Sequence, residues 1–265
     1  MRVLFSNPPW WTYKNSRRDN KKMLAKGVRA GSRWPFTFIC KSKYDHRDYD
    51  DYTPFPHFLA SAATYLKKHT KHEVYFRDSI ALCDSYETFY KYIAEKDLDY
   101  IIIESQSTSW EHDKSIINEL NLRFKNLKIV LTGPVVNNYK EENLKELGIF
   151  SACKGEYDKN LIPALEIKNK IQDYDLMSVE EMNSSPFPWN DKLHFDKYSD
   201  HTPVKPEYPM FWMWTSRGCP YRCNFCVWPS SMTNNDPDGT SSRKVRQYSP
   251  EYVGEYMKHT LNNYS

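Results

Sequence analysis

Cys219, Cys223 and Cys226 fall close together in the stretch TSRGCPYRCNFC, spaced C-x3-C-x2-C. Three thiols at such spacing, in a reducing compartment, read as a metal or catalytic site and not as part of a disulfide framework. A structural zinc ion takes four ligands, usually supplied in pairs. No histidine lies between His201 and His259, so zinc would have to recruit a distant fourth ligand. Three thiolates on a 4Fe–4S cluster leave one iron open for substrate or cofactor, which gives a chemical reason for the number three. Zinc and inert thiols are the alternatives. Cys40, Cys83 and Cys153 are scattered and read as small buried hydrophobes.

The segments around these cysteines predict how they are held. MFWMWTS (210–216) has the composition of a buried strand leading into the cysteine loop. SPEYVGEYMKHTLNNY (249–264) predicts a helix with Ser249 as N-cap and Pro250 at its first position. Upstream, apolar strands alternate with amphipathic helices. The strands are predicted at 2–6, 72–78, 99–105, 127–133 and 149–156, and the helices at 54–69, 85–96, 110–125, 139–148 and 158–169. Five strand–helix units predict a doubly wound α/β domain with a parallel sheet over residues 1–168. Residues 7–53 read as a long polar loop, and the Pro-rich polar stretch 169–207 as a linker. Residues 208–265 form the second region. In the loop over 26–38, Arg29, Arg33 and Trp34 stand among small residues, which suits either a flap over a ligand or plain surface.

Composition narrows the classes. The hydrophobic fraction of 40% supports a true core, and a net charge of +3 gives no electrostatic footprint for nucleic acid. No apolar run approaches the roughly 18 residues of a membrane span, and the apolar start MRVLF is too short for a secretory signal. A cytoplasmic protein is expected. His57, His69, His72 and His112 fall on helices or at their ends and are expected to be solvated or capping.

The context TSRGCPYRCNFC resembles the radical S-adenosylmethionine superfamily, and RKVRQYSPEYVGEYM (243–257) resembles the segment that follows its cysteines. The resemblance implies a partial barrel of strand–helix units beginning near residue 208. It implies Cys219, Cys223 and Cys226 as ligands of a 4Fe–4S cluster, S-adenosylmethionine on the open iron, and Phe225 near the adenine. It also implies reductive cleavage of the sulfonium, fed by an electron donor such as flavodoxin or ferredoxin, and a small-molecule or metabolite substrate.

An α/β domain ahead of such a motif resembles the cobalamin-binding subfamily. FSNPPWW, PHFLASAATYLKKHTKHEVYFRDS and CKGEYDKNLIPAL match its ordered elements along the chain. The resemblance places cofactor contacts at Ser105, Ser107 and Thr108, at Gly133 and Pro134, and at Gly155 and Glu156 of the Gly-Glu turn. Mutase-type domains carry Asp-x-His-x-x-Gly after the second strand. Here that stretch runs Asp78-Ser79-Ile80-Ala81-Leu82-Cys83, so the resemblance implies cobalamin without a histidine lower ligand. Pro134 stands where the family often has a second glycine. Methyl transfer to an unactivated centre is one reaction the resemblance implies; ring contraction and cyclisation are others.

After Met210 there is room for one strand, one loop and one helix, far short of a barrel. The expectation is that the chain is a fragment or that a second polypeptide completes it. The alternatives from other classes are a non-catalytic cobalamin or iron–sulfur binding module and a zinc-stabilised interaction domain.

Overall fold

The computed structural model describes residues 1–15, 20–27, 36–38, 53–189, 198, 213–221, 223 and 245–264. Six parallel strands form the central sheet: β1 (Arg2–Asn7), β5 (Glu73–Asp78), β6 (Tyr100–Glu104), β7 (Lys128–Thr132), β8 (Ser151–Cys153) and β9 (Ile171–Gln172). Their spatial order is β5-β1-β6-β7-β8-β9. Chain order reverses at β1, whose neighbours are β5 on one side and β6 on the other. Such a switch point opens a crevice outside the carboxyl ends of the strands.

The central strands are apolar without a gap because both faces of the sheet are covered. Their side chains still alternate between two cores. Val3, Phe5, Ile102 and Val130 join one core with Leu59, Ala63 and Leu66 of helix α1 (His57–His69). Leu4, Ile101, Ile103, Ile129 and Leu131 join the other. There they meet Phe89 and Ile93 of α2 (Tyr86–Lys96), Ile117 and Leu120 of α3 (Trp110–Arg123), and Leu144 of α4 (Glu141–Glu146). Ser85 caps α2 by accepting from the Thr88 amide at 3.0 Å. The doubly wound α/β class expected from the sequence is the class observed.

Several boundaries differ from expectation. The stretch 7–53 is not simply a loop: β2 (Trp11–Asn15), β3 (Lys22–Gly27) and β4 (Phe36–Phe38) form an antiparallel sheet. β2 is mostly solvent-exposed, so it lacks the apolar alternation that marks a half-buried strand. The helix expected over 158–169 shrinks to α5 (Leu161–Ala164), since Pro163 cannot donate a helical hydrogen bond. The chain turns at Asn169, with φ +57°, to enter β9. The stretch read as a linker contains β9 and α6 (Val179–Ser184), which opens with a reciprocal Ser178–Glu181 capping box.

In the second region, β10 (Ser216–Arg217) pairs antiparallel with β11 (Arg246–Gln247). Residues 210–212 of the expected strand lie outside the described residues. Helix α7 (Pro250–Tyr264) begins as expected, with Ser249 Oγ accepting from the Tyr252 amide at 3.1 Å. Among the described residues no helix is long and apolar enough to cross a membrane.

Candidate functional site

Five connections, after β1, β5, β6, β7 and β8, lie at the carboxyl edge of the sheet. After β1 come Pro8, Pro9 and Trp10. Trp10 is buried and stacks on His112 of α3, with ring centroids 5.4 Å apart. His112 Nε2 donates to the Pro9 carbonyl at 3.0 Å. A Cβ on Gly27 would collide with the Trp10 ring, so only glycine lets β3 run beside the indole. The Gly27 amide donates to the Trp10 carbonyl at 2.7 Å, fastening the antiparallel sheet to this edge.

After β5, Asp78 folds the next loop back on itself. Its carboxylate accepts from the amides of Ile80 and Ala81 at 3.1 and 3.2 Å, and from the Tyr198 hydroxyl at 3.1 Å. Asp84 closes the loop through a bidentate pair with Arg77 (2.7 and 2.8 Å) and a bond from Ser79 Oγ (2.7 Å). Ile80, at the position where mutase-type domains have histidine, is buried. Cys83, expected to be buried, is exposed.

After β6, the expected contact residues divide. Ser107 and Thr108 are exposed on the crest of their loop. Ser105 is buried and donates to Asp113 Oδ2 at 2.6 Å, and Ser109 donates to the same oxygen at 2.7 Å. After β7, Gly133 has φ +91°, and a Cβ there would strike the Ser105 carbonyl oxygen. Glycine is therefore required to pack two loops of the protein against each other. Pro134 opens the short 3-10 turn Pro134–Asn138.

Two further polar groups sit at this edge. Asn7, the last residue of β1, is buried, and its Oδ1 has no hydrogen-bond partner among the described residues. A buried acceptor without a donor is costly, and it fits a site where a polar ligand supplies one. Glu104, the last residue of β6, is pushed up to about 7 by burial, although the Tyr157 hydroxyl donates to it at 2.9 Å. Asn7 could thus accept from a polar ligand, whereas Glu104 is already occupied by Tyr157. No histidine occurs in the loop from Ser79 to Asp84.

The turn after β8 joins this edge to the cysteine region. Its residues point in two directions. Tyr157 reaches Glu104, while Glu156 and Asp158 hold arginines from the hairpin β10–β11. Arg217 forms a bidentate pair with Asp158 at 2.8 and 3.0 Å and lies 3.4 Å from Glu156 Oε2. Its Nε donates to the Tyr248 hydroxyl at 3.1 Å. Arg246 pairs with Glu156 and donates to the Met177 carbonyl at 2.6 Å. Burial opposes the Arg217 charge, but Asp158, Tyr248 and Glu156 outweigh it and hold the guanidinium above its ordinary range. Trp214 stacks on His57 (5.0 Å) and meets Phe58 edge-on (4.5 Å), so this histidine is buried under the second region and not solvated.

Gly218, with φ +101°, turns the chain from Arg217 to Cys219. Cys219 is half-buried and Cys223 exposed, both as free thiols. Phe225 and Cys226 lie outside the described residues, as do Arg29, Arg33 and Trp34. Gly155, at φ +65°, makes the turn that presents Glu156. The sequence reading missed Arg217, Arg246, Asp158 and Tyr157. A signal was present: one arginine precedes the three cysteines in the sequence and another follows them, and buried arginines need acids from elsewhere.

Two solved structures resemble this chain in fold. Both are of the radical S-adenosylmethionine methyltransferase TsrM from Kitasatospora setae. One, with tryptophan substrate and an S-adenosylmethionine analogue bound, superposes with a TM-score of 0.55 at 17% identity, covering 78% of this chain and 43% of that one. The other, with cobalamin and a [4Fe-4S] cluster bound, gives 0.54 at 16% identity, covering 79% and 44%. The chain thus spans less than half the length of these structures, and the likeness is one of fold. No protein-family model matches the sequence, and no curated protein does.

Proposed function

We propose that this chain is a cobalamin-dependent radical S-adenosylmethionine protein, or the leading part of one. The observation that carries the reading is the C-x3-C-x2-C sequence that begins two residues after Arg217, in a strand pair tied by ion pairs to the turn after β8 of a doubly wound sheet. Its fold likeness to a methyltransferase solved with these cofactors supports the same reading. In this proposal Cys219, Cys223 and Cys226 hold a 4Fe–4S cluster, and Phe225 flanks the adenine of S-adenosylmethionine. Ser107, Thr108 and the Asn7 amide oxygen contact cobalamin at the switch point. Ser105, Gly133 and Glu156 shape that site through contacts within the protein. The cobalt has no histidine from the loop after β5. When bound, the cluster supplies an electron for sulfonium cleavage and cobalamin supplies a methyl carrier. The chain's own residues hold the cysteine loop against the crevice and bury the polar edge. A flavodoxin- or ferredoxin-type donor, a metabolite substrate and methyl transfer to an unactivated centre complete the proposal.

Anaerobic reconstitution with iron and sulfide tests it. The wild-type chain is expected to take up close to one cluster. Replacement of all three cysteines by alanine is expected to abolish uptake, with no change in far-ultraviolet circular dichroism. Full iron and sulfide content in that triple variant overturns the cluster assignment, and stoichiometric zinc in the anaerobically purified wild type favours an interaction domain.

A further inference from the structure

We propose that Glu156 and Asp158 are positioning residues for the cysteine loop. They fix where Cys219 and Cys223 stand relative to the crevice by neutralising two arginines that the hairpin cannot neutralise itself.

Arg217 and Arg246 are direct cross-strand partners in the β10–β11 ladder. Like charges placed opposite each other oppose pairing. The hairpin is only two residues long on each strand, too short to overcome that repulsion by its own hydrogen bonds. Both arginines are instead turned toward one short segment of the first domain. Arg217 meets Asp158 with two parallel bonds, and Arg246 meets Glu156, so two positive and two negative charges close on each other. Asp158, Glu156 and Arg217 are all almost wholly buried, at 3% or less exposure of their side chains. Exposed ion pairs are soft and tolerate many geometries; buried bidentate ones do not. The Met177 carbonyl and the Tyr248 hydroxyl satisfy further donors, which leaves the guanidinium planes one orientation.

The position of this clamp gives it its role. Arg217 is separated from Cys219 only by Gly218. On the other side, Tyr157 lies between the two acids and reaches Glu104 at the end of β6. One four-residue turn therefore grips the crevice with its tyrosine and the cysteine loop with its carboxylates. An apolar contact of equal area would permit sliding, whereas this arrangement sets a register between the two sites.

The inference deepens the function proposed above and rests on it for the identity of the cluster, so its test has a readout that needs no cofactor. In the metal-free full chain, the reaction rates of Cys219 and Cys223 with a thiol reagent are followed by peptide mapping. Asp158→Asn and Glu156→Gln are expected to raise the rate of half-buried Cys219 on the order of tenfold, as the loop leaves its register, and to change that of exposed Cys223 less. Cys83, exposed but remote from the clamp, is expected to keep its rate and serves as the internal control. Arg246→Lys keeps the charge and loses the fork, and is the milder variant should the others fail to fold. It is expected to change the electron paramagnetic resonance spectrum of the reduced, reconstituted cluster without changing iron content. The reversed pair Asp158→Arg with Arg217→Asp is expected to return the thiol rates toward wild type. Unchanged thiol rates in the single variants overturn the inference. So does a fall in melting temperature accompanied by wild-type thiol rates and spectrum, which is the signature of a purely structural ion pair. If the wild type takes up no iron, the functional proposal fails while the thiol rates still decide the clamp.

Discussion

The central sheet and the cysteine hairpin solve the same problem by opposite means. In the sheet, β1, β6 and β7 bury apolar side chains on both faces, and the strands are held by contacts that need no particular partner atom. In the hairpin, two-residue strands bury an arginine and draw their stabilisation from carboxylates on the other region. A core of the first kind tolerates rearrangement and builds the scaffold. A contact of the second kind contributes little net stability but fails sharply when one partner goes. Apolar packing builds the scaffold, and buried charge ties the β10–β11 pair to the turn after β8.

The largest expected effect comes from breaking the charged contact. Arg217→Ala leaves Asp158 buried without its partner and should cost about 4 kcal/mol. Amide hydrogen exchange should show the loss in β10, β11 and the start of α7, with β1, β6 and β7 still protected. Equal deprotection of the sheet would mean that the two regions are one cooperative unit.

A smaller effect tests the sheet's own exception. Glu104 has its folded pKa raised to about 7 by burial, from an ordinary value of 4.5. A raised folded value means that the folded state holds the proton more tightly. The contribution is therefore fully present below about pH 4.5 and is lost as the pH rises through 7. Across that window the loss amounts to roughly 3 kcal/mol at most. Glu104→Gln should flatten the melting-temperature profile between these limits and raise it at pH 8. A profile parallel to the wild type would assign the slope to other groups.

The smallest effect is local to the second region. Ser249→Ala removes the cap on the Tyr252 amide and should cost about 1 kcal/mol. Helical circular dichroism and urea unfolding should show a slight loss, while the thiol rates of Cys219 and Cys223 stay at wild-type values. A rise in those rates would tie the helix start to the loop as firmly as the arginines do.

The parts of this molecule legible in its sequence are those governed by local rules. Apolar runs such as DYIIIES, and Ser-Pro at the start of the last helix, fold by periodicity and capping, which depend on near neighbours alone. The doubly wound class follows from the alternation of such runs. The antiparallel sheet β2–β4 was not legible, because its first strand is mostly exposed and its register is set by Trp10 against Gly27 and His112. Site chemistry divides the same way. Three cysteines at close spacing read as a metal or catalytic donor set, since ligand spacing within one loop is a local property. That Gly133 packs on Ser105, and that Glu156 and Asp158 answer Arg217 and Arg246, are long-range facts. Arg217 lies 59 residues from Asp158 in the chain. Only folding decides that pairing, because a buried charge must find its counter-charge wherever the chain's packing has placed one.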